Sequence, residues 1–186
     1  MEADWEIEIG GEAPVMDAHW TGLVDLRGEP EQARRLSETY QLPQLAEVLI
    51  RLNAANSPVW TSKCDVFVPD HFDPDDLDAP IGVALRARAC YVDLLPRDEM
   101  QWDSVEVVES ACRGICDRLR SVPARSCRAD LVIRRAMIEG VVETLGVTAY
   151  ITAAGPDEPS AAIALATALA AFANAAMAAA GPVRAS

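Results

Sequence analysis

Hydrophobic residues in this chain gather in short runs, and the spacing within the runs changes along the sequence. Residues 19–26 alternate, with Trp20, Val24 and Leu26 on one side, and predict a strand that Gly28 ends. Pro30, in a first-turn position, opens a helical stretch repeating at Ala33, Leu36 and Tyr40. Pro43 interrupts it, and Leu45, Val48, Leu49 and Leu52 carry a second amphipathic run. After Ser57-Pro58, residues 59–68 read as a strand with Trp60, Cys64, Val66 and Val68 on one face. Residues 70–80 are acidic and contain proline, which reads as a loop, and residues 83–95 form a third strand.

The clearest helix spans 102–120. Asp103 and Glu106 have capping-box spacing, and Val105, Val108, Cys112, Ile115 and Leu119 form one apolar seam. Arg118 and Arg120 lie in its last turn, where the helix dipole favours cations, and Pro123 closes it. Residues 126–133 form a fourth strand, in which Cys127, Ala129, Leu131 and Ile133 alternate with Arg128, Asp130 and Arg134.

In order, these elements are β-α-β-β-α-β, and the halves share short motifs. Leu23-Val24-Asp25-Leu26 matches Tyr91-Val92-Asp93-Leu94, and Asp65-Val66-Phe67-Val68 matches Asp130-Leu131-Val132-Ile133. Two such units pair into a four-stranded antiparallel sheet backed by helices, the ferredoxin-like arrangement. The expected fold class is therefore α+β with a duplicated β-α-β core over residues 19–135. An acidic arm, residues 1–18, precedes it. A strand–helix extension, residues 136–186, follows and packs on the core.

Within that extension, residues 146–152 read as a fifth strand, and Glu158-Pro159-Ser160 opens an alanine-rich helix reaching about Ala180, with Gly181-Pro182 ending it. No charge interrupts residues 161–180, a length that raises a membrane span. Alanine gains little from lipid and basic flanks are absent apart from Arg184, so a buried helix is expected and no membrane. The helix is apolar most of the way round, and one sheet covers only one side of it. A homodimer in which this helix joins the interface follows as an expectation.

The chain has 186 residues, half of them hydrophobic, which is enough to bury a core. Its net charge of −13 repels phosphate, so nucleic acid is not an expected partner. Charge is uneven along the chain: residues 1–82 carry 17 acids and 5 bases, whereas residues 83–135 carry 8 acids and 10 bases. Five cysteines, an odd number, follow an acidic start unlike a signal peptide, so free thiols in a cytoplasmic protein are expected.

No sequence motif calls for a cofactor. The loop from Asp70 to Asp78 holds five aspartates and His71 but lacks the ligand pattern of a calcium loop, and reads as a solvated connection. Cys112 and Cys116 are spaced i, i+4, which is neither zinc-knuckle nor thioredoxin spacing, so they read as core. No metal site is expected. The turn Gly155–Ser160 precedes a helix as phosphate loops do, but it has one glycine, no lysine and two acids.

What remains is the sheet face turned away from the helices. It is expected to carry His19, Thr21, Asp25, Lys63, Asp65, Arg128 and Asp130. Arg86 and Arg88 join them only if a bulge between Ala89 and Tyr91 separates them from the parity of Val92. Acids and bases on one surface suit a self-associating binding module for a protein or a small anionic ligand. The competing expectation is a small enzyme using Asp and Arg groups, assisted by His19, in a pocket over the sheet.

Overall fold

The computed structural model describes residues 1–80 and 84–179. The expected strand start at Val83, the helix end at Ala180 and the stop at Gly181-Pro182 lie outside the described residues. The strands are β1 (Glu2–Glu8), β2 (Val15–Asp17), β3 (Val59–Phe67), β4 (Arg86–Pro96), β5 (Cys127–Ile138) and β6 (Val142–Gly155). The helices are α1 (Ser37–Gln41), α2 (Gln44–Asn53), α3 (Val105–Arg120) and α4 (Glu158–Ala179). Short 3₁₀ turns occupy Pro30–Arg35, Asp75–Leu77 and Glu99–Trp102.

All six strands join one mixed sheet in the order β1-β5-β6-β4-β3, with β2 continuing along β5 beyond β1. β1 and β2 run parallel to β5, and every other neighbouring pair is antiparallel. The class is α+β, but the sheet is not the four-stranded antiparallel one expected from a duplication. Residues 19–26 form turns and no strand. Gly22 takes a positive φ of 99°, and the Leu23 N–H donates to the Trp20 carbonyl at 3.1 Å, which reverses the chain. Asp25 therefore has no place in the sheet to mirror Asp93.

Residues 2–8, expected as part of an acidic arm, form the sheet's edge. Their acids alternate with apolar residues: Ala3 is buried in the core, and Trp5 packs beneath the guanidinium groups of Arg113 and Arg120. Glu2, Asp4, Glu6 and Glu8 take the other parity. Residue 135 lies inside β5, and β6 is the sheet's central strand. A tight turn makes both strands longer than their patterns suggested. Glu139 and Gly140 have φ of 53° and 68°, and the Val141 N–H donates to the Ile138 carbonyl at 3.1 Å. These two left-handed residues open a three-residue loop, 139–141, between the paired Ile138 and Val142.

α2, α3 and α4 cover one face of the sheet. α4 lies along β6 and β4 with α2 and α3 beside it, burying Leu165, Leu169, Phe172 and Ala176. By length and composition α4 is apolar enough to cross a membrane, with a mean hydropathy of 1.8. Here the sheet and its two neighbours bury 44% of its most apolar stretch. Ile163, Thr167, Ala170 and Asn174 form its outward row.

The β6–α4 joint is close-packed. A Cβ added at Gly155 would stand 2.7 Å from the Ala161 nitrogen and 2.9 Å from the Ser160 carbonyl carbon, both backbone atoms. Gly155→Ala is expected to lower stability by about 1–3 kcal/mol. Urea unfolding against Gly10→Ala, whose added Cβ meets nothing within 4 Å, provides the comparison.

Candidate functional site

The site begins with an irregularity in the edge strand β3. Its pairing with β4 runs Val59–Pro96, Trp60–Leu95 and Thr61–Leu94, then resumes at Lys63–Asp93. Ser62 is the extra residue of a bulge, and it flips the strand's alternation. Trp60 therefore faces away from the helices, packing with Met16, Leu95 and Ala136, while Cys64 and Val66 face the main core. The sequence pattern, which put Trp60 with Cys64 and Val66, is corrected here. Beyond the bulge, Lys63, Asp65 and Phe67 share the open face with Trp60.

Asn53, fully buried at the end of α2, holds the bulge. Its Oδ1 accepts the Thr61 N–H at 3.0 Å, and its Nδ2 donates to Thr61 Oγ1 at 2.7 Å and to the Leu49 carbonyl at 2.8 Å. Arg97 in turn donates to the Asn53 and Ser57 carbonyls at 2.8 and 3.0 Å, satisfying the C-terminal end of α2.

Strand register places four of the eight expected site residues on the open face. Lys63 stands opposite Asp93, which stands opposite Thr148. One row along, Asp65, Tyr91, Tyr150 and Asp130 cross the sheet together. Arg128 follows, opposite Thr152, and pairs with Asp130 at 2.7 Å.

The other four lie elsewhere. The β4–β6 register is unbroken from Arg86 to Leu94, so Arg86 and Arg88 keep the parity of Val92 and point to the helix side. Arg88 there approaches Glu158, at the start of α4, at 3.8 Å. His19 is exposed on the loop after β2, and its backbone N–H donates to Asp17 Oδ1 at 2.8 Å. Asp25 pairs with Arg27 at 2.8 Å, and hydrogen bonding from that guanidinium holds its carboxyl below the usual range. Arg27 stacks 4.3 Å over the Trp60 ring, clamping residues 20–27 onto the sheet.

Two segments leave the middle of the open face uncovered. Residues 18–27 overlie one end, where Ala18 and the side chain of Met16, from β2, pack with Leu95 and Ile138. The acidic loop overlies the other end, through Leu77 and Ala79 on Ala87 and Ala154. Its aspartates are exposed, and among the described residues no group of three or more His, Cys, Asp or Glu side chains gathers as metal ligands do. Cys112 and Cys116 are buried, and burial pushes their thiols up to about 12 and about 11.

Under residues 14–20 lies a cavity of about 230 Å³, lined by Trp20, Lys63, Asp93, Arg134, Thr148 and Asp17, among others. Asp93 is 8% exposed and accepts a hydrogen bond from Thr148 Oγ1 at 2.7 Å. Burial raises its pKa, against that hydrogen bond and the nearby charges of Arg134 and Lys63. Arg134 commits four of its five N–H donors: Nε and Nη2 donate to Glu8 at 3.1 and 2.9 Å, and Nη1 donates to Thr148 and Tyr150 at 3.2 and 3.1 Å. Lys63 is exposed and makes no hydrogen bond or ion pair among the described residues. Asp93, Arg134, Thr148, Tyr150 and Trp20 were not singled out from sequence as site residues. For Arg134, the parity of Arg128 and Asp130 was a usable signal.

Comparison with protein-family models, with curated proteins and with solved structures found no match. The chemistry must be taken from the cavity alone. It offers one unpaired ammonium, a buried carboxyl that resists ionisation, a hydroxyl, and an aromatic wall.

The Asp93 carboxyl ionises less readily folded than unfolded, so the folded chain keeps its proton longer. The cost is absent below an ordinary pKa near 3.8 and grows as pH rises through the folded value. Asp93→Asn keeps the hydrogen-bonding shape without the charge. It is expected to be more stable than the parent at neutral pH, with the difference vanishing below the ordinary pKa. Urea titrations at pH steps across the acid range measure this.

Proposed function

We propose that the chain is a binding module for a small anionic ligand, a carboxylate held over the open face of the sheet. The carrying observation is Lys63: the chain's one lysine makes no hydrogen bond or ion pair among the described residues and borders a cavity floored by Asp93 and Thr148. A carboxylate there receives a charge-assisted hydrogen bond from the ammonium. Thr148, whose hydroxyl donates to Asp93 at 2.7 Å, and Asp93 itself line the same cavity. Arg134 contributes positive potential while four of its five donors stay committed to Glu8, Thr148 and Tyr150. Cytoplasmic residence and self-association belong to the same proposal and rest on the sequence alone.

A small enzyme is the second reading, and Asp93 is what favours it. A buried carboxyl with a raised pKa in a cleft is a candidate general acid or base. His19 lines neither this cavity nor its neighbour, so acid–base chemistry here centres on Asp93.

Binding of small carboxylates, followed by NMR titration of the full chain, tests the module. Lys63→Met is expected to weaken binding at least about tenfold, since a hydrogen bond to a charged group contributes about 1.5–3 kcal/mol. Equal affinity in parent and variant excludes the proposed role of Lys63. Turnover of a bound carboxylate that disappears in Asp93→Asn favours the enzyme.

A further inference from the structure

The bulge that turns Lys63 onto the open face leaves one polar group unaccounted for. Ser62 is 5% exposed, and its hydroxyl oxygen is buried with no hydrogen-bond partner among the described residues. A hydroxyl buried without a partner is costly, so native proteins seldom leave one. Ser62 also lines a second cavity, of about 210 Å³, between the free edge of β3 and residues 20–38. Trp20 and Lys63 line both cavities, so the two adjoin at those side chains.

The second cavity differs in character from the first. Val24, Leu26, Leu36 and Leu49 give it an apolar wall. The Cys64 thiol, pushed up to about 12 by burial, is uncharged at neutral pH. Its remaining charged lining, apart from Lys63, is acidic: Glu38 and Asp65. Those carboxylates repel an anion, and an apolar wall gains nothing from one. An uncharged hydrocarbon body suits this space, with one acceptor to receive the Ser62 hydroxyl.

We infer that the edge cavity holds the body of the ligand whose carboxylate binds at Lys63. The ligand class is a short amphipathic carboxylate, a chain of several carbons carrying one oxo or hydroxyl acceptor. This rests on the carboxylate reading above and adds to it a length and a polar point. The head meets Lys63 where the cavities join, the chain runs beneath Trp20 against Leu36 and Leu49, and Ser62 donates to the acceptor.

The test is NMR titration of the full chain with acetate, butanoate, hexanoate, pentanoate and 4-oxopentanoate. Each methylene taken into the edge cavity is expected to tighten binding about three- to fourfold, until the cavity is full. The oxo compound is expected to bind about fivefold or more tightly than pentanoate. Ser62→Ala removes only an unpaired hydroxyl; it should abolish the oxo preference and keep the dependence on chain length. Val24→Trp, at a partly exposed position, should fill the cavity and bring the hexanoate-to-acetate ratio near one. Hexanoate no tighter than acetate in the parent overturns the inference and leaves the head reading standing. A chain-length gain that survives Val24→Trp, or an oxo preference that survives Ser62→Ala, also overturns it. Failure of every carboxylate to bind overturns both readings together.

Discussion

One extra residue in an edge strand determines what the open face of this sheet contains. If Ser62 were an ordinary strand position and not a bulge, alternation along β3 would put Trp60 and Lys63, three residues apart, on opposite faces. The bulge allows both on one face, and Asn53 fixes it by satisfying the Thr61 N–H and hydroxyl at once. Those bonds lie in the buried interior, where unmet polar groups are costly, so the bulge is anchored in the same core that α2 closes. Trp60 then receives Arg27 and, with Met16, Leu95 and Ala136, makes the small second core under residues 18–27. The footing of the cavity roof on Trp60 and the placement of the single lysine both trace back to that bulge.

The cations on the open face illustrate how burial and partnership divide roles. Arg128 is neutralised by Asp130, and Arg134 by Glu8 from the parallel strand β1. The planar fork of arginine suits such fixed multi-point pairing, and Arg134 reaches two hydroxyls besides. Lysine is a compact charge on a flexible stem, and Lys63 is left without an opposite charge in hydrogen-bond contact. Structural positive charge is thereby separated from positive charge free to meet a ligand.

Much of this was legible in the sequence, and the failures share a cause. α2, α3, α4, β3, β4 and β5 carry strong periodicity, and strict alternation in β5 correctly separated Arg128 and Asp130 from Ala129 and Leu131. β1 was missed because Glu2, Asp4, Glu6 and Glu8 read as an acidic arm, although Ala3, Trp5 and Ile7 alternate with them. An edge strand with one polar face looks like a solvated tail until its partner is known, and that partner lies more than a hundred residues away. The apparent duplication failed in the opposite sense, because residues 19–26 alternate without pairing. Gly22 breaks that strand locally, and burial of Leu26 in the main core supplies another use for its apolar residues. Asp93 was seen only as a repeat match. Its neighbours Thr148 and Arg134 come from β6 and β5, and no local pattern reports a cross-strand encounter.

The overall charge narrows the proposed ligand further. A chain with a net charge of −13 presents a repulsive field to any anion at long range. The acidic row of β1 and the loop from Asp70 to Asp78 stand on either side of the open face, so an extended polyanion laid across it would meet carboxylates at both ends. Salt screens exposed charges beyond about 8–10 Å, which lets a local group outweigh the distant ones for a ligand small enough to stay within that range. Under the proposed function, Lys63 would meet a single carboxylate within that range while the rest of the surface opposes phosphate-rich polymers. The same argument ties the charge of the head to the neutrality of the body. The acids nearest the edge cavity, Glu38 and Asp65, admit a hydrocarbon chain and oppose a second negative group, so a monocarboxylate fits this surface better than a dicarboxylate.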